Sequence, residues 1–179
     1  MFSRTATDEV DVVHTGDTLP MAATNPADDA QLTAELRSVA ASARRRALRD
    51  GDRQIDTAHV LHSLLEADPA AREACGGQLV RLLGYLAQRS IGYGIRWHGS
   101  VEDSGALPAV TSGTAGWSPA AATAMRAAVA RAHSHGRPQA DGGDLLATLA
   151  ADPRCRAVEV LRSAGVEFSG HLDDGTVAS

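Results

Sequence analysis

The chain has 179 residues, 44% hydrophobic but only 3% aromatic, and carries a net charge of −5 with histidine neutral. That length serves one ordinary domain or two small ones sharing a core, and the alanine-, leucine- and valine-rich apolar set favours helix over strand. Every basic side chain is arginine, which excludes Schiff-base lysine chemistry and a Walker phosphate loop, while the acidic balance argues against a nucleic-acid surface.

Residues 1–27 read as a tail, with scattered polar residues, Gly16, Pro20 and Pro26 and no sustained period. From Thr33 the spacing changes. Leu36, Val39, Ala40, Ala43, Ala47 and Leu48 predict a first helix that Asp50-Gly51 ends. Asp56 or Thr57 can cap a second helix carrying Val60, Leu61, Leu64 and Leu65. Asp68-Pro69 opens a short third helix, Gly76-Gly77 interrupts it, and Leu79, Leu82, Leu83 and Leu86 form a fourth stripe.

Residues 91–116 hold six glycines and Pro108 and read as a linker. Ile91, Tyr93, Ile95 and Trp97 alternate like a strand, against which Gly92 and Gly94 weigh. The helical pattern then restarts. Ser118-Pro119 is a cap followed by proline, leading into Ala121, Ala124, Met125, Ala128 and Ala132 as far as Gly136. Asp141 leads into Leu145, Leu146 and Leu149, and Asp152-Pro153 is read as opening a helix with Ala157, Val158, Val160 and Leu161, stopped by Gly165.

At a shift of 85 residues the halves coincide: Thr33 with Ser118, Ala43 with Ala128, Gly51 with Gly136, Leu61 with Leu146 and Leu64 with Leu149. Cap, stripe and stop recur together, as in a duplicated unit. Two copies are too few for an open solenoid, so a pseudo-two-fold pair sharing one core is expected. The predicted fold is all-α, two pseudo-symmetric four-helix repeats with about eight helices. Residues 28–90 form the first repeat, 91–116 the linker, 117–172 the second repeat and 173–179 a C-terminal tail.

Motifs of catalysis are missing: GxSxG and HExxH do not occur. His59 and His62 stand three apart on one helix, short of the three or four ligands that zinc needs, with Asp56 the local addition of the right type. His133 and His135 fall at a helix end, where imidazole complements the dipole. Cys75 and Cys155 lie far apart with no CxxC, and Cys155, between Arg154 and Arg156 near a helix start, is a candidate for a mildly acidic thiol. Arg44, Arg45, Arg46 and Arg49 form either a solvated face or a patch for an acidic partner. No apolar run approaches the roughly 18 residues of a membrane span, and the N-terminus lacks signal-peptide order. A cytoplasmic protein is therefore expected, with neither catalytic residue, cofactor, metal, membrane nor nucleic-acid partner. Grooves between helices receive peptides, and their candidate floor residues are Leu32, Leu36, Tyr85, Tyr93, Trp97, Trp117 and Phe168.

Two segments, Gly51 to Leu65 and Trp117 to Met125, carry a family resemblance. Ile55, Thr57, His59, Val60 and Leu61 keep the pattern "I-x-T-E-H-hydrophobic-L", Ser118 and Pro119 keep an "S/T-P" start, and Ala157, Leu161, Gly165 and Val166 an "A…L…G-V" ending. Over residues 32 to 172 the chain resembles the amino-terminal repeat domain of Clp-type unfoldase ATPases, of the ClpC and ClpA kind. Without the ATPase modules it resembles the free-standing Clp-N-like proteins of actinobacteria. The resemblance implies a non-enzymatic peptide- or protein-binding module, acting as adaptor, decoy or regulator of Clp proteolysis. Its implied partners are a Clp unfoldase, that enzyme's substrates or adaptors, or cyclic peptide antibiotics. ClpC-type domains recognise phosphorylated arginine through the Glu of "T-E-H"; here Ala58 and Gly143 stand at those positions, so no preference for phosphoarginine is expected unless Asp56, Asp141 or Asp144 substitutes. A helical scaffold for a small hydrophobic ligand and a thiol enzyme using Cys75 or Cys155 are the other readings.

Overall fold

The structure, a computed structural model, describes residues 24–89, 102 and 116–166. Among them the fold is all-α, with seven α-helices and two short 3-10 turns: α1 (Ala34–Asp50), α2 (Thr57–Ala67), α3 (Pro69–Ala74), α4 (Leu79–Gln88), α5 (Pro119–Ser134), α6 (Gly142–Ala151) and α7 (Arg156–Ser163). The expected count was about eight.

Local signals set most boundaries. Thr33 and Ser118 cap α1 and α5 by accepting from the Leu36 and Ala121 amides, at 3.3 and 3.1 Å. Asp68 takes the Ala70 and Ala71 amides with Pro69 in the first turn of α3. Gly51 and Gly136, 85 residues apart, both turn the chain in the left-handed region, at φ 71° and 70°. α7 departs from the sequence reading: Pro153 lies in a turn and the helix starts at Arg156. The Arg156 and Ala157 amides, which an earlier start would tie up within the helix, instead donate outward to Glu102 and Thr57.

The duplication is visible in space. Leu32 pairs with Ala140 and Ile55 with Trp117 as two short parallel bridges. Each bridge joins residues just before helices of different halves, and the 85-residue shift converts one into the other. Their hydrogen bonds correspond as well. Thr33 N–H donates to Ala140 C=O at 3.0 Å, and Ser118 N–H to Ile55 C=O at 3.0 Å; Ala140 N–H donates to Gln31 C=O at 2.8 Å, and Ile55 N–H to Gly116 C=O at 2.7 Å. Helix packing follows the same exchange: α3 lies on α2 and α6, α7 on α6 and α2, and α2 meets α6 across the axis. α7 is therefore the counterpart of α3, and the described residues include no counterpart of α4.

One core serves both halves. Every α2 residue from Thr57 to Leu65 is buried, as for a helix packed on all sides. It joins Leu36, Val39 and Ala43 of α1, Met125 and Ala128 of α5, and Leu145, Leu146 and Leu149 of α6 in a single apolar cluster.

Gly142 sits at a close approach between the halves. A Cβ there would fall on Asp68 Oδ2 and press Leu64 Cδ1 at 3.1 Å. Gly142→Ala is expected to destabilise by about 2 kcal/mol through overpacking and loss of the Asp68 cap. Urea unfolding checks this: the double change with Asp68→Ala should cost less than the sum of the singles, and strict additivity would show that the contact is not made.

Candidate functional site

Leu32 (0% exposed), Leu36 (1%) and Trp117 (4%) are core residues, not a groove floor. The bridges pull Leu32 and Trp117 inward, and Leu36 follows on the buried face of α1. Tyr85, on α4, is exposed at 37%, as is Val80 at 83%. Tyr93, Trp97 and Phe168 lie outside the described residues. Ala58 is buried and Gly143 exposed.

What the fold assembles instead is a buried polar cluster where α2, α5 and α7 begin. Glu102, 4% exposed, fills it. Its carboxylate accepts from Thr57 N–H at 2.8 Å, Arg156 N–H at 2.7 Å, Ser118 Oγ at 2.8 Å and Thr57 Oγ1. One acidic residue thus gathers free donors from three helix starts. Burial, reinforced by neighbouring Asp56, raises its pKa.

Asp56 lies behind it, fully buried. It caps α2 through His59 N–H at 2.9 Å, and its Oδ2 receives Arg156 Nη1 at 2.7 Å and Arg89 Nη2. Burial opposes its charge, but His59, Arg89 and Arg156 prevail and hold the carboxyl well below the usual range.

His59 completes a capping box: its Nδ1 lies 3.1 Å from Asp56 N and 2.8 Å from Asp56 Oδ1. Nε2 sits 2.9 Å from Asp52 Oδ2 and 3.9 Å from Asp50 Oδ2, off the line of a hydrogen bond to either. The 85-residue shift places Asp141 and Asp144 at the same two positions of α6, again a capping box. There Arg137 supplies the cation, 2.7 Å from Asp141 and 2.6 Å from Asp144.

Burial works against the His59 proton, but Asp56 and Asp52 outweigh it and raise the pKa from 6.5 to about 8. Because the folded state holds this proton more tightly than the unfolded chain, the stabilisation is complete below pH 6.5 and is lost as the pH rises through about 8. The loss is expected to be about 2 kcal/mol, read as urea-unfolding free energy at pH 6 and pH 9. Asp50, Asp52, Asp56 and Arg89 face the ring, so His59→Gln should flatten this slope; an unchanged slope would assign it elsewhere.

The two histidines of α2 do not act together. His62 turns to Arg46 Nη1 at 3.2 Å and to Glu66, and burial, then Arg46, lowers its pKa to about 4. The arginine run divides as well: Arg46 bonds Ser63 and pairs with Glu66, while Arg45 reaches Ser42. His135 Nδ1 lies 2.8 Å from Arg131 C=O, the carbonyl contact expected at that helix end. Cys155 is not an acidic thiol. Although it precedes α7, it is buried, its Sγ donates to Leu149 C=O, Arg156 faces Asp56, and burial pushes the pKa to about 11. Burial also raises Cys75. Neither thiol has the environment of an activated nucleophile.

Sequence reading missed Glu102, for which an acidic pair with Asp103 in a glycine-rich segment gave no signal. It also missed the ion pairs of Asp56, because Arg89 and Arg156 are 33 and 100 residues away.

No protein-family model and no curated protein sequence matches the chain. Among solved structures, a chain from preliminary structural investigations of a malarial protein secretion system is similar in fold, with TM-score 0.54 and 15% identity over 75% of this chain and 85% of that one. At that identity the likeness concerns fold alone. No helix among the described residues is long and apolar enough to cross a membrane.

Proposed function

We propose that this protein is a non-enzymatic peptide- or protein-binding module related to the receiving domain of Clp unfoldases, acting as adaptor, decoy or regulator of Clp proteolysis. The observation that carries the reading is the seam between the halves. Ile55, inside the first segment of family resemblance, and Trp117, which begins the second, meet there as a bridge, and the 85-residue shift maps that bridge onto its twin. Two distant sequence patterns with no separate reason to coexist become one structural unit. The exposed face of α4 with Val80 and Tyr85 is the contact surface this reading favours.

Phosphoarginine selectivity is not part of the proposal. Ala58 and Gly143 supply no carboxylate, and the nearest substitutes, the buried Asp56 and Asp144, are each already ion-paired with arginine. Asp141 is half-exposed and already paired with Arg137.

Fluorescence anisotropy with plain, arginine-phosphorylated and cyclic peptides, alongside capture of a purified Clp unfoldase, tests this. Binding of a peptide class or of the unfoldase, weakened by Tyr85→Ala, is the expected result, with plain and phosphorylated peptides within about twofold of one another. A blank with every probe contradicts the function. Tight binding confined to the phosphorylated peptide contradicts the reading of Ala58 and Gly143.

A further inference from the structure

The corner between α1 and α2 has a chemistry that the capping of α2 does not use. Asp50 ends α1, Gly51 reverses the chain in the left-handed region, and Asp52 follows, so two carboxylates two residues apart face the same point. His59 arrives there from the first turn of α2. Ligand atoms of Asp50, Asp52 and His59 all lie within 4.8 Å of one another.

A cluster of this kind is commonly just surface charge, but His59 distinguishes it. Its side chain is 1% exposed, and its Nε2 makes no aligned hydrogen bond although it stands 2.9 Å from Asp52 Oδ2 and 3.9 Å from Asp50 Oδ2. On the opposite edge of the ring, Nδ1 lies 2.8 Å from Asp56 Oδ1. A proton on Nδ1 directed at Asp56 leaves the Nε2 lone pair facing Asp50 and Asp52, the carboxylate–histidine arrangement that orients metal-bound imidazoles. The Asp56 N–H bond to Nδ1 belongs to the alternative tautomer, so a cation at Nε2 selects between the two.

The second half of the molecule provides an internal comparison. The 85-residue shift carries Asp50, Asp52 and His59 onto His135, Arg137 and Asp144. There the guanidinium of Arg137 is the resident cation, 2.6 Å from Asp144. In the first half that position is Asp52, so a positive side chain is exchanged for a negative one. Arg89 replaces Arg137 only in part: it bonds Asp56 and forms a longer ion pair with Asp52 Oδ2, at 3.8 Å. Arg49 touches Asp50 through Oδ1 and leaves Oδ2 toward the histidine.

We infer that Asp50, Asp52 and His59 form a binding site for a first-row divalent cation of the zinc class, closing the turn between α1 and α2. Two carboxylates balance a 2+ charge once the cation has displaced the proton that His59 otherwise holds, leaving a neutral imidazole. The imidazole favours zinc-class ions over magnesium or calcium, which prefer all-oxygen shells. Asp52, 25% exposed, gives access from solvent, and three protein ligands leave a fourth position for water.

The test uses the full chain freed of metal by chelation. Calorimetry with Zn²⁺ and the visible spectrum with Co²⁺ measure stoichiometry and ligand type. One equivalent is expected, with Kd on the order of 10 μM or tighter, weakened at least about 100-fold in the double variant Asp50→Asn/Asp52→Asn. Saturating Zn²⁺ should raise the Tm of the parent chain by about 5 °C and leave that variant unchanged. His133→Gln/His135→Gln, which removes the exposed histidines of the α5 end, should bind as the parent does. Should the aspartate variant fail to fold, imidazole nitrogen shifts in the parent chain decide, since Zn²⁺ must move His59 Nε2 first. Absence of one-equivalent binding, affinity that survives loss of both aspartates, or affinity that disappears with His133 and His135 would each overturn the inference.

Discussion

Asp56→Ala is expected to lower the unfolding free energy by about 4 kcal/mol, among the largest single-residue effects in this chain. Two losses combine. The cap on α2 disappears, worth about 1 kcal/mol. The Arg156 and Arg89 side chains, each only 10% exposed, lose the carboxylate that both contact, and the weakened compensation of two buried guanidiniums accounts for the larger share. Asp56→Asn separates the two terms, since asparagine caps a helix almost as well but carries no charge. It should retain the cap and lose most of the ion-pair term. Urea unfolding at pH 7 reads both variants. The depressed pKa adds a check at low pH: stabilisation from Asp56 is fully present above its ordinary value of 3.8 and is lost as the pH falls below it. The parent chain should therefore weaken on acidification more steeply than Asp56→Asn. Equal stability of Asp56→Ala and the parent would mean that the buried ion pairs are not formed.

Glu102→Ala is expected to cost about 3 kcal/mol by a different route. The change strands two backbone amides, Thr57 and Arg156, together with the Ser118 hydroxyl, in a region closed to solvent. Each buried donor without an acceptor costs about 1–3 kcal/mol, reduced where water enters the space left behind. Because the amides belong to α2 and α7, one from each half, the variant should loosen the halves against each other as well as lower Tm. Amide exchange at Thr57 and Arg156 would then accelerate more than exchange in the middle of α5. Uniform acceleration would show that Glu102 stabilises the whole fold without joining those helix starts.

The division between what sequence disclosed and what it concealed follows the range of the interactions. Caps are local, so Thr33, Asp68, Ser118 and Asp141 could be recognised from residues within a turn of them. The 85-residue recurrence could be recognised because cap, stripe and stop repeat as a set. Burial at the seam could not: Leu32 and Trp117 precede helices and have no periodic partners, and only their bridges to Ala140 and Ile55 draw them inside. The late start of α7 has the same origin, since its free amides are claimed by Glu102 and by Thr57, residues 54 and 100 positions earlier. Electrostatics were hidden most completely. Cys155 has arginines on either side in sequence, yet burial governs its thiol and Arg156 points to Asp56.

Amide hydrogen exchange at the two bridges tests most directly whether the repeats form one body. The amides of Thr33, Ile55, Ser118 and Ala140 each donate across the seam. If the halves share a core, all four should open only with global unfolding, at the same free energy as the interior amides of α2. Exchange of these four well before the α2 interior, or protection of one bridge but not its twin, would contradict the joined-repeat architecture.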